Sequence, residues 1–147
     1  SLKFYKVPRK INFTKLVEAD RDEVYKQISN FENYSSYVPG CSSSTLLEKN
    51  DEFEIGELEF NFLLNNYSIK SRNVLSDNAI KIEQIEGPFN FFNGEWTITQ
   101  NEDHKTEITF KGEFELPFLL NNLLPANIID TFCDLVIDAF IERLSKS

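Results

Sequence analysis

The sequence predicts an α+β fold: a curved antiparallel sheet wrapped around a long C-terminal helix. Three observations carry this. From about residue 44 to residue 116, apolar side chains recur with period two, broken at short intervals by turn residues. Beyond Pro117 the period changes, and apolar pairs recur every four residues as far as Leu144. A sheet with one apolar face needs a cover, and the terminal helix is the only element long enough to provide it.

Taken in order, Ile11, Phe13 and Val17 suggest a first strand. Asp20 reads as a helix N-cap, and Glu23 three residues on completes a capping-box pattern. Val24, Ile28 and Phe31 follow at helical spacing, and Pro39-Gly40 stops the helical stretch. A strand over 46–49 precedes one in which Phe53 and Ile55 share one parity and Leu58, Phe60 and Phe62 the other. The change of parity predicts a bulge at Gly56-Glu57. Asn65-Asn66 is a hairpin turn signal, and return strands are expected over 67–75 and 79–86. Phe92, Gly94, Trp96 and Ile98 alternate in the next strand. Ile108, Phe110, Gly112, Phe114 and Leu116 alternate in the last. The tail pairs Ile128/Ile129, Phe132/Cys133, Val136/Ile137 and Phe140/Ile141 form a wide apolar stripe. Asp130, Asp134, Asp138 and Glu142 form a line opposite it, expected to be a solvated helix face. The sum is a first strand, short helices, a six-strand meander and a long helix: a helix-grip layout.

Composition narrows the function. With 147 residues, one domain over 1–147 is expected, large enough for a core without disulfides or metals. The 24 Asp+Glu against 15 Lys+Arg give a net charge of -9, which argues against DNA and against charge-driven binding to anionic lipid. Lys3, Lys6, Arg9 and Lys10 are the one basic cluster, read as a flexible arm over residues 1–10. Cys41 and Cys133 are expected to be free thiols. Methionine is absent even from position 1, so Ser1 is expected to be a processed start. The 14 Phe must fill a core or line a space.

Two blocks carry a resemblance. Phe31-Glu32-Asn33-Tyr34 runs on to Val38-Pro39-Gly40-Cys41, and Glu86-Gly87-Pro88-Phe89 is followed by Gly94 and Trp96. Phe114 and Ala139-Phe140-Ile141-Glu142-Arg143 extend the match, which runs from about residue 13 to 144. The chain resembles the START-like (SRPBCC) family of coenzyme Q-binding proteins and the ribosome-association toxin RatA. The resemblance implies a START/Bet v 1-like fold whose sheet and helix enclose a hydrophobic cavity. It implies a bound lipid such as ubiquinone or another polyisoprenoid. For the RatA branch it implies interference with ribosomal subunit association.

Candidate site residues follow. Phe60, Phe62, Tyr67, Ile69, Trp96, Ile98, Phe110 and Phe114 should share the concave face, opposite Phe132, Val136 and Phe140. Tyr34 and Tyr37 are polar candidates for orienting a ligand, and Val38 and Phe89 join the lining from the two blocks. Gly94 and Gly112 lie on the inward parity, where missing side chains leave either a bend or a space. The alternative to a cavity is a solid aromatic core. In an antiparallel meander the turns near 63–66, 87–90 and 117–125 share one end. There Leu63, Leu64, Leu119, Leu120, Leu123 and Leu124 either face out as a membrane-docking patch or fold inward as a plug. Arg72 is expected to point outward, and Cys41 to be a structural thiol.

The functional expectation is non-catalytic binding or chaperoning of a hydrophobic lipid, most plausibly ubiquinone, in support of respiratory electron transport. No cofactor beyond that ligand and no metal is expected. No Ser/Cys–His–acid set or phosphate loop is evident, and the inward positions read as apolar. The alternative is a RatA-type toxin that binds the large ribosomal subunit. A third reading, a cyclase-like enzyme, needs an inward acid/base group. The expected location is the bacterial cytoplasm or inner-membrane periphery, or the mitochondrial inner membrane or matrix.

Overall fold

The computed structural model describes residues 8–145. The chain runs β1 (Arg9–Val17), α1 (Arg21–Ser29), a 3-10 segment (Phe31–Ser36), β2 (Cys41–Lys49), β3 (Glu54–Phe62) and β4 (Asn65–Leu75). It continues through β5 (Ala79–Glu86), β6 (Phe91–Glu102), β7 (Lys105–Glu115), α2 (Phe118–Leu123) and α3 (Ala126–Ser145). The predicted α+β fold is present. β2 to β7 form the meander, and β1 pairs with β7 to give a seven-stranded antiparallel sheet in the order β1-β7-β6-β5-β4-β3-β2. Arg9 and Lys10 therefore belong to an edge strand, not to a loose arm; Lys3 and Lys6 lie outside the described residues.

Several local expectations change. Asp20 does occupy the N-cap of α1, but its side chain makes no capping bond. Its Oδ1 lies 3.0 Å from Nδ1 of His104 in the β6–β7 turn, so a tertiary contact outcompetes the local cap. No bulge interrupts β3. Glu54, Gly56, Leu58, Phe60 and Phe62 all face inward on one unbroken parity. Gly56 misled the reading because it is itself an inward residue. The Phe31 ring lies over it, and a Cβ there would be 2.4 Å from Phe31 Cζ. The irregularities lie on other strands: between Cys41 and Ser43 and between Leu46 and Glu48 on β2, the latter opposite Ile55-Gly56, opposite Lys70/Ser71 on β5, and between Gln100 and Glu102 on β6.

The first hairpin turn also moves. Phe62 pairs with Asn65, so Leu63 and Leu64 are the two tip residues and Asn65-Asn66 opens β4. Both leucines have left-handed backbone, φ 49° and 67°. A two-residue hairpin loop with positive φ at both positions suits Asn-Gly, because a bulky side chain crowds its own backbone there. Both leucines are exposed, so no burial repays the strain.

The core lies between the concave face and the helices. Val24 of α1 and Ile98 of β6 are fully buried, in one cluster with Phe140 and Leu144 of α3. Asp130, Asp134, Asp138 and Glu142 face out, as the spacing predicts. Replacing Leu63-Leu64 by Asn-Gly should raise stability by about 1–3 kcal/mol through relief of the turn. The check is a higher urea midpoint at an unchanged m-value; an unchanged midpoint means the turn stores no strain.

Candidate functional site

A straight helix against a curved sheet leaves a gap, and here the gap is a partly enclosed cavity of about 350 Å³. That lies in the size range of small-molecule sites. Its floor includes Phe60, Phe62, Tyr67, Ile69, Phe89, Trp96, Phe110 and Phe114 from the sheet and its turns. Phe132, Val136 and Phe140 of α3 close it from above, and Tyr34 and Val38 form a side wall. The aromatic rings meet mostly edge to face, such as Phe62 on Phe132 at 5.1 Å and 63°. Rigid rings held against one another cannot collapse into the space as flexible aliphatic chains would. Gly94 and Gly112 do not open the cavity. The Phe110 ring already occupies their missing side-chain positions, at 2.8 Å and 2.9 Å.

Two predicted residues stay off the cavity: Ile98, fully buried in the core, and Tyr37. The Tyr37 backbone leaves the 3-10 geometry at φ -144°, and its ring packs behind Tyr34 on Phe140, 5.4 Å away. The Arg143 guanidinium covers the ring at 5.4 Å. Tyr34 lines the cavity, but its hydroxyl donates to the Ile28 carbonyl at the end of α1. Burial pushes the Tyr34 phenol well above its usual range, so it stays a neutral donor.

Sequence reasoning missed the polar groups on the wall. Glu54, Ser71, Asn73 and Gln84 all line the cavity. The misplaced bulge had turned Glu54 away from the interior. The visible signal was the simpler pattern, an even parity running unbroken from 54 to 62.

At the end holding the β3–β4 turn, the β5–β6 turn and α2, the leucines divide. Leu120 and Leu124 turn inward onto Phe62, Phe89, Phe92 and Phe114. Leu63, Leu64, Leu119 and Leu123 face solvent, Leu64 completely. Phe118 is half exposed beside them. Arg9 fastens α2 to the sheet: its Nη2 donates to the Leu124 carbonyl at 2.7 Å and to Asn121 Oδ1 at 2.8 Å. None of the chain's charged residues falls in 60–69, 87–94 or 116–129, the segments that build this end. In a chain that is 27% charged, that leaves a largely apolar end, bordered by Arg9 against α2 and by Glu115, which accepts from Asn90 Nδ2 at 2.7 Å.

The remaining candidates are structural. Arg72 points outward and lies 4.3 Å over the Phe53 ring. Cys41 is buried, and its Sγ approaches the Ser43 carbonyl at 3.5 Å. Cys133 lines the cavity; burial, with Asp130 and Asp134 nearby, pushes its thiol up to about 11. At neutral pH it is a protonated, apolar wall residue. Among the described residues, no three His, Cys, Asp or Glu side chains are grouped so as to hold a metal ion. No described helix is long and apolar enough to cross a membrane.

Comparison with known proteins fixes the kinship. The profile of a family described as polyketide cyclase/dehydrase and lipid transport matches residues 17–144. The chain belongs to that family. The ribosome association toxin RatA of Vibrio cholerae is 20% identical over 139 residues, 94% of this chain and 96% of its own. Among solved structures, the Zhui aromatase/cyclase from Streptomyces superposes with a TM-score of 0.82 at 16% identity, covering 95% of both chains. A START superfamily protein from Mycobacterium smegmatis reaches 0.79 at 14% identity, covering 93% of this chain and 97% of its own. The START-like resemblance and the fold it implies are therefore shown.

One expectation is overturned. The non-catalytic reading does not stand, because the fold is also that of enzymes: the Zhui aromatase/cyclase and a norcoclaurine synthase, the latter at a TM-score of 0.68. Its premise fails as well. It required that no acid face the cavity, and Glu54 does.

Proposed function

We propose that this protein takes a hydrophobic lipid, of the isoprenoid quinone or polyisoprenoid class, into the cavity between sheet and α3. The observation that carries this is the cavity itself, about 350 Å³ walled by aromatic and aliphatic side chains. The family's description includes lipid transport, which supports it. The driving force is removal of apolar surface from water, about 0.8 kcal/mol per buried methylene. One five-carbon isoprene unit therefore contributes about 4 kcal/mol before the cost of ordering the tail. The candidate lining residues from Tyr34 to Phe140 act as a water-free wall, and Tyr37 supports it from behind.

The same reading assigns the apolar end to a bilayer. Leu63, Leu64, Leu119 and Leu123 insert among lipid tails, while Leu120 and Leu124 belong to the passage behind them. An uncharged contact suits an acidic protein, because anionic lipid would repel the rest of its surface. The site of action is the inner face of a bacterial membrane, where a quinone would be handled in support of respiration. A second reading, contact with the large ribosomal subunit, is supported by the names of the relatives: the Escherichia coli RatA is 24% identical over 92% of this chain.

Two measurements test this. Trp96 is the only tryptophan and lines the cavity, so a short-chain ubiquinone should quench its emission saturably. Val136→Phe, which fills the space, should weaken that titration about tenfold with the protein still folded. Quenching that never saturates contradicts the proposal. On neutral phosphatidylcholine vesicles, the wild type should float and Leu64→Asp/Leu119→Asp should not. Failure to float, with co-sedimentation on large ribosomal subunits, favours the second reading.

A further inference from the structure

The cavity is not uniformly apolar. Glu54 on β3 stands directly opposite Asn73 on β4, and both line it. Residues so opposed have Cβ atoms about 5 Å apart, so one small group between them can reach both side chains. Asn73 is 8% exposed. Its Oδ1 accepts from Ser71 Oγ at 2.9 Å, and its amide makes no other hydrogen bond among the described residues. The NH2 group of that amide, with two donors, therefore has no partner among the described residues. The Glu54 side chain is 14% exposed, and its one ion pair is a loose contact of 3.7 Å to Lys49 Nζ, on a side chain that is itself 67% exposed. A buried amide donor and a carboxylate acceptor thus face the same space with capacity to spare. Leaving such groups unpaired beneath an apolar ligand is costly.

We infer that Glu54 and Asn73, held by Ser71, form a head-group subsite for a hydroxyl. The occupant is an amphipathic alcohol or phenol whose apolar body lies in the aromatic part of the cavity. A hydroxyl is the smallest group that satisfies both partners: its hydrogen goes to the Glu54 carboxylate, and its oxygen accepts from Asn73 Nδ2. An ether or a carbonyl can only accept and pairs with Asn73 alone. A hydrocarbon pairs with neither. A carboxylate ligand is repelled by Glu54. The inference rests on the proposed use of the cavity for an apolar molecule and narrows it: the hydroxyl-bearing members of that class are preferred.

The test uses the full chain loaded with the neutral fluorescent probe N-phenylnaphthylamine, displaced by farnesol, farnesyl methyl ether or farnesene. These share one apolar body. Farnesol should displace the probe at roughly tenfold lower concentration than farnesene, with the methyl ether between them. Asn73→Leu and Glu54→Met should each erase most of that preference, by relieving the penalty on farnesene as well as by weakening farnesol. Glu54 lies near solvent, so Glu54→Met decides the matter should Asn73→Leu not fold. Equal displacement by farnesol and farnesene in the wild type overturns the subsite and leaves the apolar cavity standing. Displacement by neither overturns the cavity reading, and the subsite with it.

Discussion

A straight rod cannot follow a concave surface. α3 is 20 residues long, about 30 Å of helix, and lies against a sheet of seven strands that curls around it. The two make contact where large side chains bridge them, and elsewhere a gap persists. The proposed function depends on what fills that gap. Stiff rings such as Trp96, Phe110 and Phe132 prop its walls apart. The same mismatch lets one fold serve a lipid-transport protein and an aromatase/cyclase: the space is given by geometry, and its chemistry by a handful of inward positions.

Those inward positions were mostly legible in the sequence. Period two across β6 and β7 and the four-residue recurrence in α3 place Trp96, Phe110, Phe114, Phe132, Val136 and Phe140 on facing surfaces, and the structure puts all six around the cavity. The errors have physical causes. At Gly56 the pattern reads as a change of parity because an inward position carries no side chain, its space being taken by Phe31 from a distant segment. That long-range substitution is invisible in one dimension, and it hid Glu54. The Asp20 cap was lost to His104, 84 residues away. The turn at Leu63-Leu64 defied turn chemistry outright: local preference favours the asparagines two residues later, and register favours the leucines. α2 was unreadable as a separate helix, because six residues are too few for a period to emerge.

Departures from local rules concentrate at one end of the molecule. Strained backbone, exposed leucines and three stretches without a charge all meet where the cavity reaches the β3–β4 turn and α2. The strained turn and the exposed leucines cost stability or solubility, and neither helps the core. Positions that break local rules without structural benefit are where function is expected to act. The opposite side of the site carries a different departure, a carboxylate and an amide whose NH2 makes no hydrogen bond among the described residues, set into an apolar wall. Between them the two ends give the cavity a direction, apolar at the mouth and polar at the far wall. An amphipathic molecule fits such a gradient in only one orientation.

The most direct measurement is organic extraction of the protein purified from a quinone-producing bacterial host, followed by mass spectrometry of the extract. The account predicts a near-stoichiometric apolar molecule carrying an oxygen head group. A protein that is folded, empty of lipid and unable to take one up would contradict it, and would make the aromatic interior an imperfectly packed core.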